Sequence, residues 1–268
     1  MNAKEKLIKL EQILHELGKV VIAFSGGIDS TFLAQVAFNV LGNNAIAITI
    51  ASPLMASEEL EQAKDLAKSI GIKHYILDKS QEIFPWFKDN PPDRCYICKK
   101  GTIVSILDFC KSKNIQGQLI EGSNFDDLDD YRPGFKAVQE MNVRSPLIDS
   151  KLTKDEIREL SRELELNCWD KPASPCLATR FFFGEEITKE KIQMVYTAEK
   201  FLRSLGLIQV RVRVHKELAR IETLPENFTI LLTHSNEITS KFKELGFSFV
   251  TMDLNGYKKG SMNKTNNS

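Results

Sequence analysis

Val20-Val-Ile-Ala-Phe24, followed by Ser25-Gly26-Gly27-Ile28-Asp29-Ser30, decides the reading of this chain. The first run is short, continuous and apolar, as a strand buried on both faces requires. From Ser30 to Leu41 the apolar residues Phe32, Leu33, Val36, Ala37 and Val40 recur at helical spacing, so a tight loop joins a strand to a helix. Two adjacent glycines let backbone N–H groups close on an anion, and the helix N-terminus adds its positive end. Ser25 and Ser30 can add hydroxyl donors. Asp29 is out of place beside bound phosphate unless it holds a Mg2+ that neutralises a pyrophosphate. The Gly-Lys-Ser/Thr ending of a P-loop is absent.

The same unit repeats downstream. Ala45 to Ala51 reads as a strand, Ser57 to Ile70 as a helix closed by Gly71, and His74 to Leu77 as a third strand. Pro85 and Asn90-Pro-Pro92 mark a break, a helix then runs from near Cys95 past Cys110, and Gln118 to Gly122 supplies another strand. Lys154 to Leu164 is a helix with Thr153 as its cap. The expected fold is α/β, a doubly wound parallel sheet. After the irregular loop from Asn167 to Gly184 the pattern changes to a helix from Thr188 to Leu205, the alternating Val210-Arg-Val-Arg-Val214, a strand from Ala219 to Thr223, a helix from Glu237 to Leu245 and a run from Phe247 to Met252. The expected organisation is a nucleotide-binding domain over residues 1–183, a smaller C-terminal α+β domain over 184–258 and a disordered tail over 259–268.

Composition narrows the function classes. Of 268 residues 42% are hydrophobic and 27% charged, and 36 Lys plus Arg balance 36 Asp plus Glu, so the net charge is 36 − 36 = 0. That gives no broad positive field for nucleic acid, and no apolar stretch nears the roughly 18–20 residues of a membrane span. The N-terminal stretch carries Leu7, Leu10, Ile13, Leu14 and Leu17 at helical spacing between Lys and Glu, an amphipathic helix rather than a signal peptide. Five cysteines, an odd number without a secretory signal, indicate reduced thiols and a cytoplasmic protein.

Ser-Gly-Gly-x-Asp-Ser after the first strand resembles the PP-loop of the ATP pyrophosphatases, a superfamily with the adenine nucleotide alpha hydrolase-like fold. The resemblance implies cleavage of ATP between the α and β phosphates, with AMP passed to a substrate oxygen. Asp126-Asp-Leu-Asp-Asp-Tyr-Arg-Pro-Gly134, Arg144-Ser-Pro-Leu147, Ala173-Ser-Pro-Cys-Leu-Ala-Thr-Arg180 and Val210-Arg-Val-Arg-Val214 are similar to the LarE family, and the similarity runs from about Lys6 to Tyr257. That family consists of ATP-dependent sulfur transferases of nickel-pincer nucleotide biosynthesis. The resemblance implies a pyridinium-3,5-dicarboxylate mononucleotide as substrate, with its carboxylates adenylated and converted to thiocarboxylates, and a hexameric assembly.

Some LarE-type enzymes sacrifice the sulfur of a single cysteine. Here Asp93-Arg-Cys95-Tyr-Ile-Cys98-Lys-Lys100 adds a Cys-x-x-Cys pair, and Cys95, Cys98 and Cys176 together resemble the subset that binds a [4Fe-4S] cluster. Three thiolates would hold three irons and leave the fourth open to hydrosulfide. Read by itself, the Cys-x-x-Cys pair is equally a disulfide, half of a zinc site or two packed helical thiols. Cys176 follows Pro175 in an irregular loop with Lys171 and Arg180 close in sequence, a setting that favours thiolate, and is the candidate catalytic cysteine. Cys110 and Cys168 read as buried apolar thiols.

The remaining candidates concern the nucleotide and substrate. Ser52, at the end of the second strand, and Gly122, at the end of the fourth, are expected to bound the adenine, as in the resembling family. Arg211 and Arg213 share one strand face and form a guanidinium fork for phosphate or carboxylate, the role the resemblance gives them. Arg180 and Arg132 complete the substrate-binding candidates. Glu199 and Glu222 match acidic metal positions of the family, without the downstream Asp that would complete them. The acidic run Asp126 to Asp130 sits beyond the fourth strand, at the sheet edge where ligands bind. Two other functions fit a PP-loop: a tRNA thiolase, and a nucleotide-binding sensor without turnover.

Overall fold

The computed structural model describes residues 1–82, 84–129, 132–171 and 175–258. The expected disordered tail at 259–268, Asp130 and Tyr131 of the acidic run, and residues 172–174 of the irregular loop lie outside them. The contacts divide the chain into two units, one of Met1–Glu82 with Asp93–Ser174, the other of Ile83–Pro92 with Pro175–Ser268.

The first unit opens with α1 (Ala3–Leu17), started by a reciprocal capping box in which Asn2 and Glu5 exchange backbone-to-side-chain bonds of 3.0 Å. Then follow β1 (Val20–Ala23), α2 (Ile28–Leu41), β2 (Ala45–Ala51), α3 (Ser57–Ile70), β3 (Lys73–Asp78), α4 (Arg94–Ser112), β4 (Gln118–Ile120), α5 (Pro133–Glu140), α6 (Pro146–Asp149) and α7 (Lys154–Glu163). The strands form one parallel sheet in the order β3-β2-β1-β4, with Val20 level with both Ala45 and Gln118. β1 is central, and Val20, Val21 and Ile22 are buried because helices cover both faces. Val20, Ile22, Ala45, Ala47 and Ile120 pack beneath α1, α2, α3 and α7. The alternate residues Val21, Ile48 and Leu119 pack against Ile103 and Ile106 of α4 and Ala137 and Val138 of α5.

This strand order has a consequence for function. From β1 the chain moves outward through β2 to β3, then crosses back to lay β4 on the other side of β1. The sheet therefore reverses direction between β1 and β4, and the crevice beyond their carboxyl ends is the place where open α/β sheets bind ligands.

The second unit contains α8 (Lys189–Ser204), β5 (Val210–His215), β6 (Leu218–Thr223), α9 (Phe228–Thr233), α10 (Ser235–Glu244) and β7 (Phe249–Met252). β5 and β6 pair antiparallel and β7 adds parallel to β6, giving a small mixed sheet. Val195 and Leu202 of α8, Phe242 of α10 and Val210, Val212 and Val214 of β5 are buried in it. Residues 84–92, read from sequence only as a break, belong here. Trp86 and Phe87 are buried, Phe87 accepts a bond from the Ile187 amide at 2.8 Å, and Asn90 accepts one from the Gly184 amide at 3.0 Å.

Three helices escaped the sequence reading: α5, α6 and α9. α5 and α6 begin on Pro133 and Pro146. Proline suits the first helical position because the amide it lacks has no intrahelical partner there. β4 stops at Ile120, two residues short of the expected strand, and its other edge makes a single parallel bridge to Arg144, whose carbonyl accepts the Glu121 amide at 3.0 Å and whose amide donates to the Leu119 carbonyl at 3.1 Å.

Candidate active site

The loop after β1 is held in shape before any ligand arrives. The Phe24 amide still donates to the Ile48 carbonyl at 2.9 Å, while the Phe24 carbonyl accepts from the buried Thr49 hydroxyl at 2.7 Å. Thr49 has spent its one proton, so the contact of 2.8 Å with His74 Nε2 requires the ring nitrogen to donate. Burial, with Lys64 nearby, lowers the His74 pKa, which suits this neutral tautomer.

Within the loop, Gly26 adopts φ +69°, and a Cβ built there would lie 2.9 Å from the Ala63 Cβ. Only glycine meets both conditions. Ser30 Oγ donates to the Gly27 carbonyl at 3.1 Å, so in the 3.0 Å contact between the two hydroxyls Ser25 is the donor. Ser30 Oγ also accepts from the Ser25 amide at 3.3 Å, closing the curl.

The decisive feature is what this loop omits. Gly27 occupies the N-cap of α2 and provides no side-chain cap. α1 and α7 each begin with a full capping box, Asn2 with Glu5 and Thr153 with Glu156. The first amides of α2 thus meet the crevice with the positive end of the helix behind them, an anion site made of backbone.

Charged side chains ring this terminus. Asp29, in the first turn of α2, is ion-paired with Lys154 Nζ and accepts a 3.4 Å bond from the Asn124 amide group. Lys171 Nζ donates to the Gly26 carbonyl at 3.3 Å. Gly122 presses on the start of α2, where a Cβ would lie 2.9 Å from the Ser30 nitrogen. The missing side chain is therefore a packing requirement, whatever the nucleotide does there. Ser52 follows β2, and its carbonyl accepts the Met55 amide at 3.0 Å.

Buried Glu121 sits at the same edge and accepts from Ser145 Oγ at 2.6 Å, Ser123 Oγ at 2.9 Å and Lys99 Nζ at 3.1 Å. Burial pushes its pKa up, but the Lys99 charge and the serine hydroxyls outweigh that and hold it below the usual carboxylate range. Of the acidic run, Asp126 caps the Lys154 amide at 2.8 Å and Asp127 pairs with exposed Arg132 at 2.7 Å. Burial raises the Asp127 pKa, Arg132 opposes it, and the Asp29 and Glu121 charges add to the rise.

The cysteines separate by environment. Cys95 is exposed on the first turn of α4, whose N-cap Asp93 makes no side-chain cap, and Cys98 is half-buried one turn on; Cys176 is exposed just before a short 3-10 turn, Leu177–Arg180. Cys110, later on α4, and Cys168 are buried, and burial pushes both thiols up. Among the described residues no group of three His, Cys, Asp or Glu is gathered to hold a metal ion.

In the second unit the expected arginine fork is buried and partly spent. β5 is covered on both faces, and Arg211 and Arg213 face the same way as Glu222 of β6. Arg213 reaches Glu222 at 2.8 Å and the Thr179 carbonyl at 3.0 Å. Arg211 donates to its neighbour Val210 carbonyl at 2.7 Å and lies over the Tyr257 ring. Arg180 makes a two-pronged pair with Glu199 at 2.8 and 2.9 Å. Burial followed by the Arg180 charge lowers the Arg211 pKa. Burial would raise that of Glu199, yet Arg180 brings it below the usual range. Glu199 and Glu222, matched to metal positions in the sequence, here neutralise arginines.

Sequence reasoning missed Lys154, Asn124 and Lys99 and gave Glu121 no role. Lys154 and Asp29 are 125 residues apart, and no local pattern joins them. The one available signal was Glu121 at the end of a strand beside the switch point.

Residues 2–91 match the NAD synthase family. An uncharacterized protein of Synechocystis is 44% identical over 97% of this chain and 98% of its own. The pyridinium-3,5-bisthiocarboxylic acid mononucleotide synthase of Lactiplantibacillus plantarum is 38% identical over 97% of this chain and 94% of its own. The chain belongs to the LarE family. A subunit of the glutamine-hydrolyzing GMP synthase of Archaeoglobus fulgidus is 27% identical over 69% of this chain and 64% of its own, a more distant likeness. LarE membership makes this an ATP-dependent sulfur-transferring enzyme on a PP-loop fold, and the PP-loop implies binding of ATP with Mg2+. No described helix is long and apolar enough to cross a membrane.

Proposed function

We propose that this enzyme activates the carboxylates of a pyridinium-3,5-dicarboxylate mononucleotide with ATP and converts them to thiocarboxylates. The observation that carries the ATP half is the glycine-capped start of α2 at the β1/β4 switch point, an anion site made of backbone amides without a side-chain cap. The product named for the 38% identical relative supports the substrate. In this reading the α2 amides, Ser25, Gly26, Gly27 and Ser30 hold the β and γ phosphates, Asp29 takes the Mg2+, and backbone near Ser52 and Gly122 bounds the adenine.

A substrate carboxylate oxygen then attacks the α-phosphorus. The α–β anhydride bond breaks, and pyrophosphate leaves against the helix terminus that bound it. Sulfide sulfur attacks the acyl carbon of the adenylate and AMP departs with the oxygen. Arg180, Arg211, Arg213 and Arg132 are the candidates for orienting the substrate's phosphate and carboxylates.

Cys95, Cys98 and Cys176 are proposed to hold a [4Fe-4S] cluster. What supports this reading is the chemistry of the donors: three thiols that solvent can reach, the ligand type that iron-sulfur clusters take. When bound, such a cluster supplies an iron site for exogenous sulfide, so that no cysteine sulfur is consumed. A cytoplasmic hexamer fed by sulfide completes the proposal.

The test incubates anaerobically reconstituted protein with substrate, ATP and sulfide. More than one equivalent of thiocarboxylate per chain is expected. A strict single turnover would remove the cluster's catalytic part, and no thiocarboxylate at all would remove the substrate assignment.

A further inference from the structure

An acid beside a phosphate cradle must be neutralised both with and without its metal, and the structure names what does so in the absence of ligand. Lys154 is the first residue of α7 and its amide is fixed by Asp126 Oδ2 at 2.8 Å. Thr153 and Glu156 lock the turn around it. From this root the side chain extends to Asp29, where the ammonium sits on Oδ2. Both partners remain about a quarter exposed, Lys154 at 27% and Asp29 at 23%, so the pair faces the crevice and can be exchanged. Asn124 donates to the other carboxylate oxygen, Oδ1, at 3.4 Å.

We propose that Lys154 is an exchange lysine. In the nucleotide-free chain its ammonium occupies the carboxylate that the metal requires. When ATP and Mg2+ enter, a divalent ion and an ammonium cannot share one carboxylate oxygen without strong repulsion. Lys154 then releases Asp29 and turns its charge to the phosphate oxygens within reach of its flexible stem. The loop is thereby never left with a bare anion facing an incoming polyphosphate. Lys171 provides the contrast: its ammonium rests on the Gly26 carbonyl, so it bears on the phosphates without guarding the metal seat. This inference rests on the reading that the loop binds ATP with Mg2+.

The experiment compares the full chain with Lys154→Gln, Lys171→Gln, Asp29→Asn and the double variant Lys154→Gln/Asp29→Asn. Binding of Mn2+ alone is followed by electron paramagnetic resonance, and binding of ATP with and without Mg2+ by calorimetry. Lys154→Gln should bind Mn2+ alone about tenfold more tightly than the parent, because one competing charge is gone from the carboxylate. The double variant should lose that gain. Metal-free ATP should bind Lys154→Gln about tenfold more weakly, since Asp29 is then unneutralised, so Mg2+ should improve ATP affinity more than in the parent. Lys171→Gln should weaken ATP without tightening Mn2+. Equal Mn2+ and metal-free ATP affinities in the parent and Lys154→Gln, with ATP and Mg2+ binding intact, would overturn the exchange alone. A parent chain that binds no ATP with Mg2+ overturns the nucleotide reading and the exchange together.

Discussion

Two regions of this molecule gather positive charge, and they do so by opposite means. At the start of α2 the charge is the partial charge of backbone amides at a glycine cap. In the second unit it is the full charge of Arg180, Arg211 and Arg213, buried beside Glu199 and Glu222. A helix terminus carries no ion to desolvate, so it can stand open to water without a counter-ion. Buried guanidiniums cannot, and the fold supplies carboxylates to them. A ligand phosphate reaching those arginines must therefore compete with Glu199 and Glu222, whereas one reaching the α2 amides has no side-chain cap to displace. The amides of the first region carry no side-chain cap, whereas the guanidiniums of the second are already engaged by carboxylates.

The largest way to break this comparison is at the second region. Glu222→Gln leaves Arg213 and Arg220 without their buried charge, and the cost should be about 3–5 kcal/mol of stability, read by urea denaturation. ATP affinity should change little if the two regions act separately. Next comes the glycine loop. Gly26→Ala puts a Cβ at 2.9 Å from Ala63 in a left-handed backbone, and Gly122→Ala puts one at 2.9 Å from the Ser30 nitrogen. Each should cost about 1–3 kcal/mol and abolish measurable ATP binding in calorimetry, since the strain falls on the amides that form the site.

Capping sharpens the contrast on a smaller scale. Thr153→Ala removes half of the α7 capping box and should cost about 1 kcal/mol in thermal denaturation. No such cost attends the start of α2, which has no side-chain cap to remove. The smallest effect is a pH slope. The His74 pKa is lowered on folding, so the unfolded chain takes the proton first; this contribution is full above about pH 6.5 and is lost as pH falls from there through the folded value. Denaturation midpoints measured between neutral and mildly acid pH should fall less steeply in His74→Gln than in the parent.

Much of this was legible in the sequence because the signals are local. A buried apolar run, two glycines and a helical period identify β1, the loop and α2 within a single short stretch. Thr153 and Gly71 mark helix ends by their own chemistry, and both ends occur where expected. What stayed hidden is joined only by the fold. Lys154 reaches Asp29 across the chain, and Lys99 reaches Glu121 from another helix. Arg211 and Arg213 were correctly read as sharing a face, but the alternation of a strand cannot say whether that face is wet. The partners that bury it, Glu199 on α8 and Glu222 on β6, come from other elements. Pro133 and Pro146 stood out in the sequence only as parts of motifs, although each opens a helix.

The central claim is that the start of α2 grips the outer phosphates of ATP so that the α–β bond is the one that breaks. The direct measurement is the nucleotide product formed with the dicarboxylate mononucleotide and sulfide present. AMP and pyrophosphate in equal amounts, absent when Gly26→Ala replaces the parent chain, are the expected result. ADP with orthophosphate, or nucleotide turnover that survives Gly26→Ala, would contradict it.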